Sequence, residues 1–125
     1  MTIWLDRLVI EAIHAEQLER HGGGTGIRDP GLLESALARP LNRAGYGEPD
    51  IAELAAVYAL GIAKNHPFVD GNKRTAYVAL ETFIILNGVT FPVSDAEAVV
   101  AMIDMASGAM TDDEFITWVR EHARD

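Results

Sequence analysis

The segment His66–Ala76 concentrates more chemical groups than any other stretch of the chain. It contains an imidazole, a carboxylate, a glycine, an amide and two adjacent cations: His66, Asp70, Gly71, Asn72, Lys73 and Arg74. A neutral imidazole, whose unperturbed pKa is about 6.5, can take a proton from an incoming hydroxyl at physiological pH. A single aspartate is a hard oxygen ligand that suits Mg²⁺ shared with substrate phosphates and water. The other groups suit the phosphates, so the segment predicts a phosphate-binding loop with a base and a metal-capable carboxylate beside it.

The position of this segment along the chain supports the same interpretation. It lies between two stretches with apolar residues at helical spacing, so the loop is predicted to lead into the first turn of a helix. Free backbone N–H groups and the positive end of the helix dipole favour an anion there. Pro67 should end the preceding helix, Gly71 permits a positive φ, and Asn72 is a suitable N-cap. For any one of these residues, a cap or a solvated charge is the simpler interpretation. For the whole set we favour function, because a cap requires neither a base nor two cations.

Composition bounds the class of protein. The 125 residues suit one domain spanning 1–125, and the absence of cysteine excludes disulfides and thiolate chemistry. No segment reads as a signal peptide or approaches the ~20 apolar residues of a membrane span, so we expect a cytoplasmic protein. The net charge of −9 argues against a nucleic-acid or anionic membrane partner. The only two lysines, Lys64 and Lys73, lie beside or within the segment His66–Ala76, which favours an anionic ligand there.

Apolar residues at helical spacing predict an all-α fold, a compact helical bundle of six helices. Four helix starts carry cap signals: Asp29, Asp50, Ser94 and Thr111. The helix after the motif, Thr75–Asn87, is apolar almost all round, which predicts that it is the central and most buried one. Pro40 is predicted to close the second helix, and Val89–Val93 is extended and could form one edge of a short hairpin.

Three further features could bear on a site. The glycine run Gly22–Gly24 lacks the Lys-Ser/Thr ending of a P-loop, so we interpret it as a helix stop and flexible loop. The stretch Arg43–Pro49, rich in helix breakers, is either a flap over the site or an ordinary connector. Lone histidines such as His14 and His21 are expected to be surface or half-buried side chains rather than metal ligands.

The order His66-Pro-Phe-x-Asp-Gly-Asn resembles the signature of the Fic family, His-Pro-Phe-x-Asp/Glu-Gly-Asn-Gly-Arg-x-x-Arg. The continuation Asn-Lys-Arg-Thr-Ala at residues 72–76 is similar to the Doc (death-on-curing) branch of that family. The segment Gly26–Ala36 is also similar to that branch, so the resemblance covers most of the chain. It implies a Fic-type helical bundle and a toxin of a type II toxin–antitoxin pair, whose antitoxin would bind through a helical tail.

The resemblance also implies an activity. Fic proteins usually transfer AMP from ATP to a target hydroxyl, whereas Doc-type proteins are kinases that phosphorylate a threonine of elongation factor Tu and stop translation. Carried onto this chain, it makes His66 the general base and Asp70 the Mg²⁺ ligand. The ATP phosphates would be bound by Gly71, Asn72, Lys73 and Arg74.

Two departures from the Fic signature favour the kinase. Lys73 replaces the second glycine of the signature, and Tyr77 replaces its last arginine, so one phosphate clamp is missing. A Fic-type nucleotidyltransferase remains the alternative activity. A catalytically silent binding module is a third possibility, which the presence of both His66 and Asp70 disfavours.

Overall fold

Six helices in chain order form the fold, as the computed structural model of all 125 residues shows. They are α1 (Arg7–His21), α2 (Pro30–Gly45), α3 (Ile51–Asn65), α4 (Asn72–Leu86), α5 (Asp95–Ser107) and α6 (Asp112–His122). Pairing between β-type segments is limited to two isolated antiparallel bridges, so the predicted all-α class is confirmed. None of the helices has the length and apolar character needed to cross a membrane.

Side-chain caps begin five of the six helices. The predicted caps Asp29, Asp50, Ser94 and Thr111 are confirmed, and Asp6 caps α1 in the same way. Each cap oxygen accepts a backbone N–H of the first turn, which satisfies one of the donors that a helix start leaves free. Helix α4 is the exception. Its cap position is Gly71, without a side-chain bond, and the predicted cap Asn72 is already the first helical residue.

Helix α3 lies at the centre of the bundle. Every residue from Leu54 to Ala63 is buried, and α2, α4 and α6 all pack against this helix. The prediction that the helix after the motif is the most buried is therefore wrong, since Ile85 and Leu86 of α4 are exposed. Helix α3 tolerates neighbours on all sides because many of its residues are alanines, with a glycine at position 61.

The structure differs from three local predictions because tertiary packing outweighs the local signal. Helix α2 continues through Pro40 to Gly45, although an interior proline costs a helix about 3 kcal/mol, because the Pro40 ring is buried in the core. Thr90 forms a bridge with Arg124 near the end of the chain, so the predicted hairpin is wrong. The spacing of apolar residues in the first helix predicts Leu8 on its inner face, but Leu8 is exposed and Ile10 is buried instead.

The packing of α3 against α2 predicts a large stability effect at Gly61. A Cβ built at this glycine would lie 3.1 Å from Ala36 Cα, a backbone atom that cannot move away alone. We expect Gly61→Val to overpack this contact by about 1–3 kcal/mol and to lower the melting temperature by roughly 5–15 °C. Gly45→Val is the matched control, because nothing lies near its Cβ. Equal melting temperatures for the two variants would contradict the expectation.

Candidate active site

His66 terminates α3 in a left-handed conformation. Its φ of 51° and ψ of 54° make it the only residue other than glycine with a positive φ. Arg28 fixes this turn, because its Nε donates to His66 O at 2.7 Å and its Nη2 donates to Asn65 O at 2.9 Å. These bonds satisfy carbonyls that the end of a helix leaves free. The His66 side chain is exposed at this strained position, which is the kind of backbone site where function concentrates.

The glycine-rich segment Gly22–Asp29 lies alongside the motif loop. Ile27 forms an antiparallel bridge with Phe68, and the Arg28 N–H donates to Pro67 O at 2.7 Å. The glycine run ends α1 as predicted, because α1 stops at His21 and Gly22 is its C-cap. Hydrogen bonds between the two segments fix the backbone on either side of the site.

Helix α1 supports the loop from beneath through His14. The ring of His14 stacks on that of Phe68 with centroids 3.8 Å apart and planes 9° apart. Its Nε2 donates to Asp70 O at 2.8 Å, and the residue is only 6% exposed, so the prediction of a surface or half-buried side chain is wrong. A visible signal for burial was its place beside Ile10 and Ile13, on the face of α1 that packs inward. Phe68 is buried in the core and so anchors the loop to the bundle.

The carboxylate of Asp70 accepts two backbone N–H groups. Oδ1 accepts from Gly71 at 2.8 Å, and Oδ2 accepts from Gly24 at 3.3 Å. These two bonds, in that order, hold the pKa of Asp70 below its usual value, and the charge of Arg74 adds to the effect. A side chain at position 23 would block this arrangement, since its Cβ would lie 2.7 Å from Asp70 Oδ2.

The start of α4 offers free donors next to His66 and Asp70. The backbone N–H groups of Asn72, Lys73 and Arg74 make no hydrogen bond within the chain. The carbonyl of Asp70, which a regular helix would use to accept the Arg74 N–H, accepts from His14 instead.

Two exposed cationic side chains lie in the first turn of α4. The side chains of Lys73 and Arg74 form no ion pair, whereas Lys64 is 2.6 Å from Asp112 of α6 and is thus already engaged. Of the two lysines, only Lys73 is therefore available to a ligand at this site. The cations and the free amides together form a positively polarised surface suited to an anion.

Asn72 is buried and takes part in the loop itself. Its Oδ1 accepts the Phe68 N–H at 3.0 Å, and its Nδ2 donates to Phe68 O at 2.9 Å. The same Nδ2 lies 3.3 Å from His66 Nδ1. Any contact of Asn72 with a phosphate would therefore use its backbone N–H.

The stretch Arg43–Pro49 lies far from this site. Arg43 belongs to α2, and the residues after it precede the first turn of α3. His66 follows the last turn, so the 15-residue length of α3, about 22 Å, separates the two. Of the two alternatives for this stretch, the flap over the site is wrong, and the segment Gly22–Asp29 lies beside the motif instead.

Comparison with known proteins agrees with the motif. The family model described as "Fic/DOC family" matches residues 4–84, which is well over half of the chain and includes every site residue named above. The chain belongs to the Fic/DOC family. It is 42% identical over 92 residues to a protein of Mycolicibacterium smegmatis named "Toxin Doc", covering 71% of this chain and 68% of that protein. It is 34% identical over 114 residues to the "Protein kinase doc" of Escherichia phage P1, covering 90% of this chain and 86% of that protein.

The donor set of this Fic/DOC chain fits a nucleotide-bound magnesium ion rather than a free one. No group of three or more histidine or carboxylate side chains could hold a metal. Asp70 alone supplies an ionised carboxylate at the site. Mg²⁺ commonly binds through one or two carboxylates together with substrate phosphates and waters, so a single aspartate beside a phosphate site is sufficient.

Proposed function

We propose that this chain is a Doc-type toxin that transfers the γ-phosphate of ATP to a protein hydroxyl, with a threonine of elongation factor Tu as its target. The observation that carries the proposal is the uncapped start of α4, with three free backbone N–H groups beside the exposed imidazole of His66. Phosphoryl transfer depends mainly on positioning and on charge stabilisation, and this site offers both. The relatives named as a toxin and as a protein kinase support the same class of activity.

Each site residue has a role in this proposal. His66 takes the proton of the target hydroxyl, and Asp70 holds Mg²⁺, which neutralises charge on the phosphates when bound. The backbone N–H groups that begin α4 contact phosphate oxygens, as do the free side chains of Lys73 and Arg74. The left-handed Gly71, with φ of 76°, lets the chain turn into α4 without a side chain over the phosphate site.

The surroundings of Tyr77 favour transfer of the γ-phosphate over transfer of AMP. Tyr77 occupies the place of the last arginine in the Fic signature, is half-buried and packs towards Phe91. Burial, with the nearby charges of Glu81 and Asp95, raises its pKa to about 12. The phenol is uncharged, so it cannot supply the ionic contact with a phosphate that the guanidinium of an arginine would make. Lys73 also fills space that the second glycine of the signature would leave open to the backbone.

The deciding experiment incubates the protein with elongation factor Tu and Mg²⁺, using ATP labelled at either the α- or the γ-phosphate. We expect label to arrive from the γ-phosphate only, because the remaining cations and amides suit a terminal phosphate next to His66. Asp70→Ala should strongly reduce this transfer through loss of the metal ligand. Label arriving only from the α-phosphate would identify a nucleotidyltransferase and overturn the kinase proposal. Absence of transfer from either position would favour the silent binding module.

A toxin of this type also implies an antitoxin. We propose that the partner binds through an apolar helical tail that folds on contact beside the site, where Val69 of the motif loop is 55% exposed. The helical circular dichroism signal of a mixture of the two proteins should exceed the sum of the separate spectra. A mixture that binds but matches the sum would contradict coupled folding.

A further inference from the structure

We propose that Asn72 is a positioning residue that decides which ring nitrogen of His66 carries the proton. The Asn72 side chain is buried at 5% exposure, and both of its polar atoms bond to the backbone of Phe68. If the carboxamide were flipped, its NH₂ group would face the Phe68 N–H and its oxygen would face the Phe68 carbonyl oxygen. The two hydrogen bonds therefore fix the orientation of the carboxamide. One amide N–H is then left over, and Nδ2 lies 3.3 Å from His66 Nδ1.

This contact determines which tautomer the neutral imidazole of His66 adopts. An amide N–H can only donate, so His66 Nδ1 must accept with its lone pair. The proton of the neutral ring therefore sits on Nε2, which makes no hydrogen bond within the chain. In the free protein, His66 presents an N–H donor, rather than a base, on the side of the ring open to a substrate.

The consequence for transfer rests on the function proposed above. A hydroxyl can give its proton to Nε2 only when the ring proton is on Nδ1, and that form turns Nδ1–H towards the N–H of Asn72. The base form thus requires the 3.3 Å contact to open, after which Nε2 releases its proton to water and Nδ1 takes one from water. The backbone N–H of Asn72 is one of the free donors that begin α4. An anion bound there touches the same residue that sets the His66 proton, so phosphate binding and the base form are coupled through Asn72.

Nitrogen NMR of the ¹⁵N-labelled protein, without nucleotide and at a pH where the imidazole is neutral, tests the proton position directly. The His66 signals are identified by their loss in His66→Gln. We expect wild-type Nδ1 to resonate as an unprotonated nitrogen and Nε2 as a protonated one. The two shifts should converge in Asn72→Ala and exchange places in Asn72→Asp, whose carboxylate accepts from Nδ1–H.

Asn65→Ala is the matched control. Asn65 is next to His66 in the chain, and its side-chain amide donates a hydrogen bond to the backbone carbonyl of Leu32. The substitution removes this hydrogen bond without removing a contact to the imidazole. The wild-type shift pattern should persist in this variant. A wild-type proton on Nδ1, or identical shifts in wild type and Asn72→Ala, would overturn the assignment, and neither result depends on whether Asn72→Asp folds.

A second arm tests the coupling. Addition of Mg²⁺ and an ATP analogue that cannot release its γ-phosphate should make the wild-type shifts converge, as in Asn72→Ala. Unchanged shifts with bound analogue would overturn the coupling. The first arm contains no nucleotide, so its result does not depend on transferase activity. If the His66 proton lies on Nε2 but the protein transfers no phosphate, the proposed function is contradicted and the role of Asn72 is not.

Discussion

His66→Ala should abolish the growth arrest that we expect on expression of this chain, and should lower the rate of the proposed γ-phosphate transfer by about 10²–10⁴-fold. The reason is the loss of the only imidazole exposed at the start of α4, since the other histidine near the loop, His14, is buried under Phe68. Single-turnover transfer of labelled phosphate measures the rate, and colony counts after induction measure the arrest. Circular dichroism and the melting temperature should be nearly unchanged, because the His66 side chain is exposed.

His21→Ala provides the control for this experiment. His21 is exposed at the end of α1, next to the glycine-rich segment, and its ring makes no hydrogen bond within the chain. This variant should arrest growth and transfer phosphate as the wild type does. A folded His66→Ala protein that still transfers phosphate at the wild-type rate would remove His66 from the mechanism.

The second large effect is expected at Gly23, which lies outside the motif. A Cβ there would lie 2.7 Å from Asp70 Oδ2 and would push the carboxylate away from the Gly24 N–H. Displacement of a catalytic group by about 1 Å can cost roughly 10²-fold in rate, so we expect a loss of this order in Gly23→Ala. The pKa of Asp70 should rise towards its usual value, because one of the two backbone bonds that lower it is lost.

A substitution at the neighbouring Gly22 distinguishes the effect of this contact from the effect of backbone strain. Gly22 also has a positive φ, of 75°, but a Cβ there would meet nothing within 4 Å. Gly22→Ala therefore introduces similar strain without touching Asp70 and should retain most of the activity. Carbon NMR titration reports the Asp70 pKa in both variants. Equal losses of activity in the two variants would show that strain in the segment, rather than the carboxylate position, matters.

Local signals explain which parts of the fold and site could be predicted from the sequence. The caps Asp29, Ser94 and Thr111 were predictable because each contacts a backbone N–H only three residues away. The same applies to the cluster of groups at His66–Ala76, whose members are neighbours in the chain. Asn72 was predicted as a cap and lies one position inside the helix, because Gly71 takes the cap position in a left-handed conformation.

The supports of the loop could not be predicted from spacing, because they join residues distant in sequence. Arg28 contacts the His66 carbonyl across 38 positions, Gly24 contacts Asp70 across 46, and His14 contacts the Asp70 carbonyl across 56. Nothing local to any of these residues indicates its partner. Pro40 shows the same limit, since a buried ring within the core outweighs its strong local tendency to end a helix.

The left-handed backbone at His66 has a consequence for the evolution of this protein. A residue other than glycine in this conformation costs roughly 1–2 kcal/mol, so the fold gains nothing from a histidine at this position. Selection for survival can therefore replace it by a single codon change without unfolding the molecule. Under the function proposed above, harmless descendants would be stable proteins that still bind the proposed antitoxin, and they would leave any active copy in the same cell less inhibited.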